Sequence, residues 1–172
     1  KRVLIYFGGT DEFNLTCLSI EALSDVGFLD LAVDVVVGQL HSNYENIEEL
    51  TSLRPNTTLH KSLPSLAGLI ARADLSIGAG GSTTWERACL GLPSIVIATA
   101  ANQLSSSESL NEFQYIKLLA NGHDLTKLEI CNAVHELSDN IFNYSLCKNL
   151  TDGSGAREVA KVMLANNCDD HI

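Results

Sequence analysis

The 172-residue chain has no stretch of about 18 consecutive apolar residues, the length a helix needs to cross a bilayer. No membrane span is expected. Basic residues are scarce: 11 Lys and Arg stand against 21 Asp and Glu, for a net charge of −10. No Lys/Arg cluster occurs, which disfavours nucleic acid and anionic membrane surfaces as partners. An anionic ligand would have to be held by local backbone dipoles, because the global field is negative. Metal-binding patterns are missing too. The five histidines show no HxxxH or HExxH spacing, and no DxD occurs. The five cysteines (Cys17, Cys89, Cys131, Cys147 and Cys168) are odd in number and form no CxxC pair. That argues against a zinc site or a disulfide framework and for reduced thiols in a cytoplasmic protein. The dinucleotide fingerprint GxGxxG is also absent.

Against these absences, 45% of the residues are hydrophobic, enough for one core at this length. One domain over residues 1–172 is expected. Val3–Phe7 (VLIYF) is a continuous apolar run without alternation, the pattern of a strand buried on both faces. Further strands are expected at Val33–Val37, Thr57–His60, Leu75–Ile77 and Ser94–Ile97. Helices are expected at Asn14–Val26, Tyr44–Leu53 (with Asn43 as cap), Leu63–Arg72, Ser107–Ala120, Thr126 to about Ser138, Ile141–Leu146 and Ala156–Ala165. Thr126 and Glu129 have the spacing of a capping box. Strand–helix alternation over the first hundred residues indicates an α/β fold, a Rossmann-like parallel sheet flanked by helices. The last third reads as helical.

The richest segment is Gly78–Gln103, GAGGSTTWERACLGLPSIVIATAANQ. It reads as the end of a strand, a glycine turn, a helix start, a helix closed by Gly91-Leu92-Pro93, and a second strand. A helix start offers unpaired N–H groups and the positive end of a dipole, which suits a phosphate. Glu86, one turn in, is placed to accept two hydrogen bonds from a ribose diol. A nucleotide is therefore the first ligand indicated. Gly8-Gly9-Thr10-Asp11 after the first strand reads either as an ordinary βα turn or as a second close approach to a ligand. Trp85 is expected to pack, and Arg87 to form a surface or structural ion pair.

Together with Phe7-Gly8-Gly9-Thr10-Asp11 and Asp152-Gly153-Ser154-Gly155-Ala156, this segment resembles the C-terminal half of the UDP-2,4-diacetamido-2,4,6-trideoxy-β-L-altropyranose hydrolases of pseudaminic acid synthesis. These are grouped with the spore-coat polysaccharide biosynthesis proteins in the GT-B glycosyltransferase superfamily. The resemblance implies the C-terminal, nucleotide-binding half of a GT-B fold and a UDP or UDP-sugar ligand. By that resemblance Gly8, Gly9, Thr10, Gly81, Ser82 and Thr83 approach the diphosphate, and Glu86 holds the ribose. Asn102 and Gln103 face the sugar side, although Ala101 stands before them where many relatives carry an acidic residue. The uracil is expected between His60 and Leu69, gripped by backbone groups. No metal or other cofactor is implied. The catalytic base is expected in an N-terminal GT-B domain, either preceding this chain in cis or supplied as a partner chain. The same motifs also fit a GT-B glycosyltransferase half or the nucleotide-sugar-binding subunit of a split enzyme.

Overall fold

The computed structural model describes residues 1–39, 41–119, 122–139 and 145–166. Six parallel strands form one sheet in the order β3-β2-β1-β4-β5-β6. They are β1 (Arg2–Tyr6), β2 (Ala32–Val37), β3 (Thr57–Lys61), β4 (Leu75–Ala79), β5 (Ser94–Ile97) and β6 (Lys117–Leu119). The helices are α1 (Leu15–Leu23), α2 (Tyr44–Leu53), α3 (Ala67–Arg72), α4 (Thr83–Cys89), α5 (Ala101–Glu112), α6 (Lys127–Asp139), α7 (Ser145–Lys148) and α8 (Gly155–Asn166). Successive strand residues point to opposite faces, and both faces are covered. Val3 and Ile5 join one core with Leu15, Ile20 and Leu23 of α1 and Ile130 and Val134 of α6. Leu4 joins the other, against Leu69 and Ile70 of α3. This two-sided burial is why β1 reads as an unbroken apolar run.

Three expectations need correction. The helix expected at Leu63–Arg72 begins only at Ala67, and the segment carrying Pro64 is a loop. The helix expected at Ser107–Ala120 is instead α5 followed by a sixth strand. Gln114, at φ 60°, stops α5, and Tyr115 N–H turns back to the Leu110 carbonyl. The chain then pairs with β5 in parallel, Ile97 opposite Leu119. The last third is therefore not all helical. α1 also stops at Leu23, short of Val26, and a 3-10 turn follows at Val26–Phe28. Residues 120, 121, 141–144 and 167–172, on which parts of the expected helices and Cys168 fall, lie outside the described residues. The capping box is present: Glu129 Oε2 accepts the Thr126 N–H at 2.8 Å, and Thr126 Oγ1 accepts the Glu129 N–H at 3.3 Å. Asn43 makes no capping bond and donates instead to Asn14 Oδ1. The cysteines among the described residues are free thiols, all buried except Cys89, which is half-buried.

Two features fix the sheet and are testable. A Cβ on Gly78 would lie 2.4 Å from the Tyr6 carbonyl oxygen and 2.7 Å from Arg87 Nη1. The first neighbour is backbone of the paired strand and cannot swing aside. Gly78→Ala is expected to lower stability by about 1–3 kcal/mol, as overpacking does, read as a lower urea midpoint. On β2, the buried Asp34 carboxylate accepts from Arg2 Nη1 (3.0 Å), His60 Nε2 (2.7 Å) and Arg72 Nη2 (2.6 Å). Burial pushes its pKa up, but the bonds from His60, Arg2 and Arg72 outweigh this and hold it below 3.8. A carboxyl that ionises more readily when folded stabilises the protein above its unfolded pKa. That contribution disappears as pH falls through the lower folded value. Urea midpoints followed from about pH 5 down to about pH 2 should therefore drop more steeply in wild type than in Asp34→Asn.

Candidate functional site

In an open α/β sheet, ligands sit beyond the carboxyl ends of the strands where the strand order reverses. Here that point lies between β1 and β4, which are neighbours with Tyr6 opposite Gly78. The loops leaving these strands are Phe7–Asn14 and Gly80–Ser82. Both glycine motifs of the sequence therefore meet at one place.

The first loop turns at Gly8, whose φ is +89°. Asp11 then folds back and caps α1, accepting the N–H groups of Leu15 (2.9 Å) and Thr16 (2.8 Å). Its other close neighbour is the buried His41, with Nε2 at 3.6 Å. Asp11 thus serves the turn, leaving Gly9 and Thr10 exposed at the groove. Gly38 presses on this turn: a Cβ there would fall 2.9 Å from the Gly9 carbonyl oxygen.

The second loop begins at Gly80, packed closely on Ser107: a Cβ there would lie 2.6 Å from Ser107 Oγ and force that hydroxyl to move. Ser82 occupies the N-cap of α4 but makes no side-chain capping bond. Its exposed hydroxyl is free for a ligand. Gly81 and Ser82 donate their N–H groups to no acceptor among the described residues. Thr84 is different. It is buried, and its hydroxyl lies 3.4 Å from the Ala79 carbonyl and accepts from Arg87 Nη2 at 2.9 Å. The helix ends on Gly91 at φ +69°, with Leu92 N–H reaching the Arg87 carbonyl, so α4 is held to two turns.

Two cavities adjoin at this point. One, about 360 Å³, is lined by Gly8, Gly9, Thr10, Gly81, Ser82, Thr83 and Gln103, among others. The other, about 670 Å³, contains Glu86 with Leu63–Ala67, Trp85, Cys89, Thr151 and Gly153. Tyr6, Ser82 and Thr83 wall both, so the two lie side by side along one groove face. Glu86 is exposed and has no hydrogen-bond or ion-pair partner among the described residues. Among the described residues no Lys or Arg lines either cavity. The groove therefore offers an anion amides and hydroxyls but no cation. Among the described residues no group of three or more His, Cys, Asp or Glu is placed to hold a metal.

Asn102 and Gln103 do not behave as a pair. Both fall in the first turn of α5, not in the loop before it. Gln103 Oε1 accepts the Thr99 N–H (3.0 Å) and the Thr99 hydroxyl (3.1 Å). Its Nε2 is left facing Gly81 across the groove. Asn102 is exposed and lines neither cavity. Two further expectations change. Trp85 is 47% exposed at the mouth of the Glu86 cavity and does not pack into the core. Arg87 is not on the surface and forms no salt bridge among the described residues. Its guanidinium is buried and donates to the Ala79 carbonyl at 2.8 Å. Thr151 and Gly153, Trp85 and Cys89 were not legible as site residues. The DGSGA motif was the available signal for Gly153, but periodicity could not bring it opposite Glu86.

No protein-family model matches the chain. Among curated proteins, it is 27% identical over 90% of its length to an uncharacterized protein of Methanocaldococcus jannaschii, covering 34% of that protein. It is 24% identical over 63% of its length to the spore coat polysaccharide biosynthesis protein SpsG of Bacillus subtilis, covering 32% of it. It is 28% identical over 90% of its length to the UDP-N-acetylglucosamine–N-acetylmuramyl-(pentapeptide) pyrophosphoryl-undecaprenol N-acetylglucosamine transferase of an Exiguobacterium strain, covering 44% of it. Among solved structures, Acinetobacter baumannii MurG superposes with a TM-score of 0.77 at 15% identity, over 95% of this chain and 49% of that one. The chain has the fold of a GT-B half. UDP-GlcNAc 2-epimerase of Neisseria meningitidis, solved with UDP-GlcNAc, gives 0.67 at 17% identity, over 96% and 44%. The chain thus spans about a third to under half the length of the curated relatives it matches. No helix among the described residues is long and apolar enough to cross a membrane.

Proposed function

We propose that this chain is the UDP-sugar-binding half of a GT-B UDP-sugar hydrolase, one that releases UDP and a free diacetamido-trideoxy sugar for nonulosonic acid or surface polysaccharide synthesis. The observation that carries the nucleotide part is the pair of adjoining cavities at the β1/β4 switch point, with Ser82 and Thr83 on their shared wall and Glu86, which makes no hydrogen bond or ion pair among the described residues, one turn further. In this reading the diphosphate lies against Gly8–Thr10 and Gly81–Thr83. The ribose hydroxyls donate to Glu86, and the base enters between Trp85 and Leu63–Ala67. Asn102 and Gln103 belong to the sugar side, with Gln103 the better placed. The leaving diphosphate is stabilised by amides and hydroxyls without a metal. A base to activate water comes from outside this chain, from an N-terminal GT-B domain in cis or a partner chain, in the cytoplasm.

Glycosyl transfer is the second reading. The similarity to the Exiguobacterium transferase and to MurG favours it, because a nucleotide pocket does not choose between water and a sugar acceptor. Product analysis of the full-length protein with a UDP-diacetamido-trideoxy sugar separates the two. Free sugar and UDP formed without an acceptor support hydrolysis. UDP release that depends strictly on an added acceptor means transfer.

A further inference from the structure

Beyond the diphosphate groove lies another cavity, about 300 Å³, that the nucleotide reading leaves unused. It adjoins the groove, sharing walls at Phe13, Thr99 and Ala100. Its far side is apolar, built by Ala101 and Leu104 of the first turn of α5. The Phe13 ring, 38% exposed, stands edge-on to His123 with centroids 6.2 Å apart. Gly122 makes room for that ring, since a Cβ there would lie 3.1 Å from it. The Thr99 N–H and hydroxyl both go to Gln103 Oε1, and the His123 ring meets Asp124 at the rim.

A hydroxyl entering this cavity would give up water with little in return. A methyl group would gain by burial. In the adjoining groove, which Gln103 lines, its Nε2 faces Gly81 and can donate to a carbonyl oxygen. A polar stem with an apolar tip is the chemistry of an acylamino group. We propose that this cavity is the subsite for an acetamido substituent on the glycosyl group, with Leu104, Ala101 and Phe13 holding its methyl. The assignment rests on the nucleotide-sugar reading above and adds the residues that set sugar preference.

The test uses calorimetric affinities of the full-length protein for UDP, UDP-glucose and UDP-N-acetylglucosamine. Burying one methyl should make the acetamido donor bind about five- to tenfold tighter than UDP-glucose in wild type. Leu104→Asn should bring that ratio to about twofold or less while UDP affinity stays unchanged, which also reports that the variant is folded. Ala101→Ser, a milder change, should lower the ratio partway. Equal affinity for the two donors in wild type, or a ratio that survives both substitutions, overturns the subsite and leaves the nucleotide reading standing. Absence of UDP binding by the wild-type protein overturns both.

Discussion

Replacing Glu86 by alanine is expected to weaken UDP binding by about 1.5–3 kcal/mol, roughly 10- to 150-fold at 25 °C, with no loss of stability. The magnitude is that of hydrogen bonds to a charged acceptor, here two from one ribose. The stability half of the expectation follows from the geometry. Glu86 is exposed on α4 and has no hydrogen-bond or ion-pair partner among the described residues, so its removal leaves no group stranded. Alanine is also the better helix former. Glu86→Gln keeps the shape and one carbonyl acceptor and should lose less. The contrast matters because no cation among the described residues lines the groove. With no lysine or arginine among the described residues of the groove, the ribose contact is expected to carry a large share of the affinity this half supplies. Calorimetric titration of UDP into wild type, Glu86→Ala and Glu86→Gln decides the matter. Equal dissociation constants in all three would remove Glu86 from the site.

The parts of this site that could be read from sequence are those where backbone demands and side-chain chemistry coincide. The run VLIYF announces a strand buried on both faces, and the glycines after β1 and β4 announce close turns. A parallel sheet then brings those turns together at its switch point without further information. β6 escaped notice because Lys117–Leu119 is three residues long and continues the helical spacing of Leu110, Phe113 and Ile116. Only the left-handed turn at Gln114, a conformation glutamine seldom takes and its type does not announce, ends the helix there. The split between Asn102 and Gln103 was equally hidden. It depends on which side chain reaches Thr99, a matter of helix phase fixed by where α5 starts. Trp85 and Arg87 have the reverse of the fates their types suggest: the indole is at the surface and the guanidinium inside. Both follow from α4 being short and packed among α3, β5 and α7, a tertiary arrangement that local periodicity does not encode.

Arg87 is where stability and site are joined, and its removal should have the largest effect on folding. Its guanidinium reaches the Ala79 carbonyl at 2.8 Å, the Thr84 hydroxyl at 2.9 Å and the Ser76 hydroxyl at 3.5 Å. Desolvation lowers its pKa to about 10, partly offset by the charge of the neighbouring Glu86, so the cation persists at neutral pH. Arg87→Ala removes a large buried side chain and strands the Ala79 carbonyl, each costly, and is expected to lower stability by about 3–5 kcal/mol. Arg87→Met fills the same space and escapes the burial of an unpaired charge, so its loss should be smaller, about 1–3 kcal/mol. Nucleotide binding is expected to report the opposite emphasis. Ala79 is the last residue before Gly80-Gly81-Ser82, and Arg87 pins its carbonyl without itself lining the groove. Arg87→Met should therefore stay folded yet bind UDP several-fold more weakly, measured well below its unfolding temperature. A purely structural arginine would leave the dissociation constant of the methionine variant unchanged once folding is assured. Unfolding and UDP titration of the same two variants thus separate its part in the core from its part in setting the phosphate turn.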